Sequence, residues 1–202
     1  MARRDRPDHY SNRARAEGYR ARSVYKLEEI QNRFGVLRSG DSVLDVGAAP
    51  GSWSQLAAKI VGGTGRVVSV DLSTLDALAG ITTVTPIVGD VYDPTVIEAI
   101  RAHGPYSVVL SDAAPNTTGN RTVDTGRSAA LVEHVLWLAG SLLRPGGNLV
   151  AKFFQGGDEQ ALLAAVRADY ASGRIVKPKA SRSESFECFL VGLGRRGAPE
   201  RR

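Results

Sequence analysis

The sequence predicts an α/β protein: a seven-stranded, mostly parallel sheet with helices on both faces and an antiparallel hairpin at its end. Three observations lead there. From Asp41 onwards, short β-branched runs alternate with longer stretches of helical periodicity, the pattern of a parallel sheet covered by helices. Acids stand at the ends of four successive strand candidates, the edge where open α/β sheets bind ligands. The last two strand candidates are separated only by PKASRSESFE, too short and too polar for a crossover helix, so they must pair antiparallel.

Taken in order, the chain opens its folded part with an amphipathic helix beginning in RSVYKLEEI, where Val24, Leu27 and Ile30 form an apolar stripe and Lys26 stands at its margin. The strand candidates are SVLDVG, RVVSVD, VTPIVGD, YSVVLSD, NLVAKFF, RIVKP and CFLVGLG. Helical periodicity falls at Ser52 to Lys59, Thr95 to Ala102, Arg127 to Leu143 and Glu159 to Tyr170. RPGGN after the third of these combines a helix stop with a turn. The polar stretch Ala114 to Asp124 follows the YSVVLSD strand and is a candidate lid, with a plain connection as the alternative. His134 and Trp137 read as helix packing. Frayed ends are expected before about Ser11 and after about Gly194.

Length and composition suit one domain over residues 1–202, with a basic segment at about 1–22 and a short basic tail at about 195–202. The chain is 43% hydrophobic and 23% charged, as expected of a folded soluble protein. No apolar run approaches the roughly 20 residues that span a bilayer, and no signal-peptide pattern opens the chain. A cytoplasmic monomer without membrane contact is therefore the expectation. The single cysteine, Cys188, excludes an intrachain disulfide and a cysteine-built zinc site, and reads as an inert strand residue. Arg3, Arg4, Arg6, Arg13, Arg15, Arg20 and Arg22 crowd the first stretch with only Asp5, Asp8 and Glu17 among them, and the net charge is +5. Such a face points to a polyanionic partner, RNA above all, with Arg13, Arg15, Arg20 and Arg22 as the candidate contacts.

LDVGAAPGSW, Leu44 to Trp53, runs from a strand through a glycine turn into a helix and lets backbone approach a nucleotide closely. It is neither the G-x-G-x-x-G dinucleotide fingerprint nor a Walker loop. Asp71 is placed to accept both ribose hydroxyls of a nucleoside, Asp90 to reach an exocyclic adenine amine, and Asp112 closes the next strand. Any one such acid can merely cap a helix; with Asp45 they make four in succession, which points to nucleoside binding. Trp53 lines the mouth of the site or simply packs. The glycine turn resembles the first motif of S-adenosylmethionine-dependent methyltransferases, which implies that Asp45 and the Gly47 to Gly51 backbone face the amino-acid end of that cofactor.

RARSVYKLEEI, DVGAAPGSWSQ, SDAAPN, LRPGGNLVAKFFQG and SRSESFECFLVG, in this order, resemble the bacterial 23S rRNA ribose 2′-O-methyltransferases of the FtsJ/RlmE type over nearly the whole chain. Ser52, where a second glycine is common, and Tyr25, in place of another aromatic, are mild departures. The resemblance implies a Rossmann-like class I methyltransferase fold, S-adenosylmethionine as cofactor, and methylation of a uridine ribose in 23S rRNA of the large ribosomal subunit. It also implies a catalytic tetrad of Lys26, Asp112, Lys152 and Glu187, with Lys152 as proton acceptor. The residues agree: Lys152 interrupts an apolar strand where it needs a counter-ion, Asp112 ends a neighbouring strand, and Glu187 returns to the same edge only if the hairpin forms. The four charges should titrate as a coupled set, and a donor role for Lys152 that only orients the hydroxyl is the alternative.

No metal is implied, since the sulfonium already activates the methyl group and no ligand cluster is visible. Transfer RNA or an mRNA cap are alternative substrates within the same chemistry. A non-catalytic RNA-binding ribosome-assembly factor is an alternative of another class. The missing third glycine speaks against a nicotinamide-dependent oxidoreductase.

Overall fold

In the computed structural model, the described residues are 9–182 and 185–197. The alternating runs become strands β1 (Ser42–Val46), β2 (Arg66–Asp71), β3 (Val84–Val88), β4 (Tyr106–Ser111), β5 (Leu143–Phe154), β6 (Tyr170–Val176) and β7 (Glu187–Arg195). They form one sheet in the order β3-β2-β1-β4-β5-β7-β6. Pairs β3–β2, β2–β1, β1–β4 and β4–β5 are parallel, while β7 is antiparallel to both β5 and β6. The winding reverses between β1 and β4, so a crevice opens beyond their carboxyl ends.

Adjacent residues of each inner strand face opposite ways, and each face has its own core. Val43, Val67, Val108, Leu110, Val150 and Phe189 meet the helices α1 (His9–Ala16), α2 (Val24–Phe34) and α3 (Ser52–Val61). Leu44, Val68, Val109, Leu149 and Phe153 meet α4 (Pro94–Ala102), α5 (Arg121–Leu142) and α6 (Glu159–Asp169). The same parity puts Lys152, two residues from Val150, and Glu187, two residues from Phe189, on the α2 side. Register places Phe154 opposite Glu187 and Lys152 opposite Phe189, making Lys152 and Glu187 diagonal neighbours.

Several boundaries differ from expectation, each for a local reason. Helix α1 forms over His9–Ala16, beginning two residues before Ser11, with Ala14 buried and Tyr10 against Tyr25; the rest of the expected frayed start lies outside the described residues. Helix α5 starts at Arg121, six residues before the expected Arg127, because the Asn120 side chain caps it by accepting from the Thr122 and Val123 amides. The Asp124 carboxylate then collects the Thr118 amide and hydroxyl and the Gly119 amide, so the end of the expected lid is helical and tethered. Strand β5 begins at Leu143 and carries RPGGN as an irregularity, its register against β4 shifting between Tyr106 and Val108. Strand β6 starts at Tyr170 rather than Arg174. Pro86 is tolerated because β3 is an edge strand. Cys188 is a free, buried thiol in β7. No helix among the described residues is long and apolar enough to cross a membrane. Arg3, Arg4, Arg6, Arg201 and Arg202 lie outside the described residues.

Candidate active site

The loop after β1 owes its path to Gly47. Its φ is +73°, and a Cβ there would lie 2.5 Å from the Ala113 Cα, so the β1 and β4 exits approach as only glycine allows. Gly51, at φ +107°, stands before the first residue of α3 with Leu78 against it. Asp71 stitches this loop to the β2 exit: its Oδ2 accepts from the Ala49 amide at 3.0 Å and its Oδ1 from the Ser73 amide at 2.8 Å. Asp90 accepts from the Tyr92 amide at 2.9 Å.

Beyond the loop lies a cleft of about 530 Å³, walled among others by Gly47, Asp71, Asp90, Tyr92, Asp112 and Arg127. The volume lies within the ordinary range for a small-ligand site. Three carboxylates against one guanidinium exclude a pyrophosphate cradle and suit a ligand with hydroxyl and amine donors and a positive charge. A nucleoside carrying a sulfonium and an ammonium has those properties, so these residues fit S-adenosylmethionine.

Three further residues expected at the cofactor, Asp45, Gly51 and Trp53, lie next to the cleft-lining Val46, Gly47 and Ala49 or at the start of α3. Asp45 has no exposed surface; its Oδ2 accepts from the Ser54 hydroxyl at 2.6 Å, and Ser54 Oγ is 2.7 Å from Ser69 Oγ. Asp45 Oδ1 has no hydrogen-bond partner. Burial pushes this carboxyl up to about 7, with the Ser54 hydrogen bond pulling down and the charges of Asp112 and Asp71 adding to the rise. Gly51 turns the backbone into α3. Trp53 is buried, donates from Nε1 to the Ser23 carbonyl at 2.9 Å and packs on Phe189 at 5.7 Å between ring centroids. It bolts α3 to the start of α2.

At the other end of Asp112 the four expected charges form two ion pairs. Lys152 Nζ donates to the Asp112 main-chain oxygen at 2.5 Å and lies 3.1 Å from Asp112 Oδ1. The contact with Oδ1 is an ion pair without an aligned hydrogen bond. Lys26 Nζ meets Glu187 Oε1 at 2.5 Å, and all four side chains keep only 10–17% of their surface exposed. Burial works against the charged form of Glu187, but the hydrogen bond from Lys26 and the charges of Lys26 and Lys152 outweigh it and hold the carboxyl below the ordinary range. Elements α2, β4, β5 and β7 thus each bring one charge to one place. On the far side of the Lys26–Glu187 pair an opening of about 520 Å³ is lined by Arg22, Lys26, Arg182, Ser185 and Glu187.

The amino-terminal arginines differ among themselves. Arg13 bonds Glu17 at 2.7 Å and lies over the Tyr25 ring, so it is engaged within the protein. Arg22 donates to the Ala180 carbonyl at 2.5 Å and faces the opening, while Arg15 and Arg20 are exposed. Ser54, Ser69, Arg127 and Arg182 escaped the sequence reading, for nothing in their local pattern marks them. Among the described residues no His, Cys, Asp and Glu cluster suits a metal. Trp137 is 53% exposed rather than packed away, and His134 is stacked between it and Tyr92.

Comparison with known proteins shows the family and the fold. The family model of FtsJ-like methyltransferases matches residues 19–195. A ribosomal RNA large subunit methyltransferase E of Treponema denticola is 47% identical over 95% of this chain and 96% of its own length. One from Syntrophobacter fumaroxidans is 49% identical over 92% and 94%. Among solved structures, a Plasmodium falciparum chain assigned as a ribosomal RNA methyltransferase superimposes with a TM-score of 0.78 at 24% identity, covering 89% of this chain and all of that one. Aeropyrum pernix fibrillarin with bound S-adenosyl-L-methionine gives 0.63 at 16%, covering 87% and 76%. At those identities the structures speak for the fold, a Rossmann-like methyltransferase sheet; the matched family model and the near half-identical relatives show that the chain belongs to the FtsJ-like methyltransferase family.

Proposed function

We propose that this methyltransferase acts on RNA of the large ribosomal subunit, transferring a methyl group from S-adenosylmethionine to the 2′-hydroxyl of a uridine ribose in 23S rRNA. One observation carries the reading: two largely buried ion pairs of alternating sign, Lys26–Glu187 and Lys152–Asp112, at the end of an acidic cleft of small-ligand size. The relatives' name, ribosomal RNA large subunit methyltransferase, supports the substrate class. Four charges so placed are a costly way to stabilise a sheet, since hydrophobic replacements of buried pairs are often neutral or better.

When bound, S-adenosylmethionine supplies a methyl carbon made electrophilic by its sulfonium. Asp71 and Asp90 hold the nucleoside by its ribose hydroxyls and adenine amine. The target ribose enters through the opening beside Arg22 and Arg182, and Lys26 and Glu187 orient it. Lys152 lies closest to Asp112 at the cleft; in its neutral amine form it accepts the 2′-hydroxyl proton as the oxygen takes the methyl group, becoming the ammonium that pairs with Asp112, whose main-chain oxygen holds Nζ in place. Arg15, Arg20 and Arg22 contact phosphates and set position without reading sequence; Arg13, tied to Glu17, supports them from behind. In this reading the enzyme is a single-domain monomer acting in the cytoplasm, where the ribosome is; one chain supplies all four charges, so the centre needs no second copy.

Large subunits, free 23S rRNA and transfer RNA incubated with labelled cofactor, followed by mapping of the modified ribose, test the substrate. Label in a 23S uridine ribose is expected, and label only in transfer RNA would overturn the reading. Lys152→Ala should lower the single-turnover rate by about 100-fold or more, the usual span for loss of a general base; a near-normal rate would remove Lys152 from the chemistry.

A further inference from the structure

The amino-terminal edge of the sheet, opposite the reaction centre, carries a second basic site. Two cavities of about 370 and 460 Å³ adjoin there and share Ser107 and Arg144. Arg38 lines the first and Arg66 the second, and Asp41 is the only acid among the residues lining either. That acid is largely spent: its Oδ2 accepts from the Arg38 amide at 2.7 Å, and its Oδ1 is 3.6 Å from the Arg144 guanidinium, a loose pair with Arg144 58% exposed. Arg66 is steadied through its Nε, which donates to Ser42 Oγ at 2.7 Å, and among the described residues neither terminal nitrogen has a hydrogen-bond or ion-pair partner.

Ser107 adds an independent sign. It is only 8% exposed and lines both cavities, and its Oγ accepts from the Ser42 amide at 3.3 Å, so its own hydroxyl proton can turn to a ligand in the groove. A hydroxyl donor that lines both cavities together with Arg38, Arg66 and Arg144, beside one partly neutralised acid, suits an acceptor-rich anion. Guanidinium forks match phosphate oxygens two at a time, and two adjoining cavities joined by one arginine suit neighbouring phosphates of one strand better than a single small anion.

We propose that this groove binds phosphodiester groups of the RNA substrate, giving the enzyme a second hold on RNA about 16 Å from its reaction centre, the five-residue length of strand from Ser107 to Asp112. The inference rests on the reading that the substrate is ribosomal RNA. A folded RNA or ribosomal particle, presenting phosphates on two sides of the enzyme, can reach both places.

The test compares the wild-type chain with the Arg66→Gln/Arg144→Gln double variant and the Arg38→Gln single variant. Affinity for a 23S rRNA fragment is measured across salt concentrations, and calorimetric binding of S-adenosylmethionine serves as the check on folding. The double variant should bind RNA roughly tenfold more weakly, and the slope of log affinity on log salt should fall by about 1.5 to 2 for two lost phosphate contacts. The single variant should lose about half as much, with cofactor affinity unchanged in both. Unchanged RNA affinity and slope in variants that bind cofactor would overturn the groove alone. The groove also falls if an acidic peptide or inorganic phosphate binds there in wild-type protein while RNA affinity is indifferent to the substitutions. If wild-type protein neither binds nor methylates the rRNA, the functional reading fails first and takes the groove with it.

Discussion

Asp45 has no exposed surface, one oxygen held by Ser54, one held by nothing, and two further carboxylates near enough to raise its pKa. Burial lifts it from 3.8 to about 7, so between those values the folded chain binds a proton that the unfolded chain has released. Stability must then fall as pH rises through that window, by a few kcal/mol at most, since each unit is worth about 1.4 kcal/mol. Urea unfolding of the cofactor-free protein at pH 5 and pH 8 should show that fall, and Asp45→Asn should remove most of the difference. An Asn variant with the same pH dependence as wild type would mean that Asp45 titrates normally. Lys26 makes the opposite case, because its charge sustains a buried partner. Lys26→Gln leaves Glu187 without its closest counter-ion. Single-turnover methyl transfer should fall by about 100-fold from lost orientation, with cofactor affinity changed less than about threefold. A parallel loss of cofactor affinity would instead place Lys26 in the cofactor site.

The glycine loop and α3 show what an element contributes beyond its residues. A methyl group at position 47 would overlap the Ala113 backbone, and its φ of +73° adds the usual left-handed penalty of about 1–2 kcal/mol for a side-chain-bearing residue. Gly47→Ala should therefore separate the β1 and β4 exits, lowering cofactor affinity at least tenfold, read by calorimetry, and stability by about 2 kcal/mol or more, read by urea unfolding. Wild-type affinity in a folded variant would show that the close approach is not needed. Much of this element was legible in advance, because strand, turn and helix follow one another within ten residues and strand-end acids recur with each strand. The support behind it was not. Ser54 and Ser69 look like ordinary small polar residues until α3 docks on β2, and Trp53 reads as readily as a cofactor wall as it does as the bolt to Ser23. The burial of Asp45 was hidden for the same reason: spacing assigns a residue to the loop, whereas the side of the strand decides how far its side chain is enclosed.

Across the whole molecule, the reaction centre depends on a hairpin whose strands return from the far end of the chain. The polar linker PKASRSESFE sufficed to predict that hairpin, and with it the return of Glu187, but the insertion of β7 between β5 and the edge strand β6 emerges only from the pairing. The amino-terminal edge was less legible still, since Arg38, Arg66 and Arg144 are separated by turns and strands and become neighbours only in the fold. Asn148 is the stitch there. Its Nδ2 donates to the Val36 carbonyl at 2.9 Å, and its Oδ1 accepts from the Gly194 amide at 3.1 Å, joining the exit of α2, the middle of β5 and the end of β7. Truncation would leave a carbonyl and an amide without partners at a site where the side chain is half-buried, a loss of about 1–3 kcal/mol for groups so placed. Asn148→Ala should thus lower the unfolding free energy by roughly 2 kcal/mol, which for a chain of this size is a drop of about 4–8 °C in Tm. Cofactor affinity should hold within about twofold, because the stitch lies at the end of the sheet opposite the cleft. An unchanged Tm would mean that water replaces both bonds; a lost cofactor site would mean that the two ends of the sheet are mechanically coupled through β5.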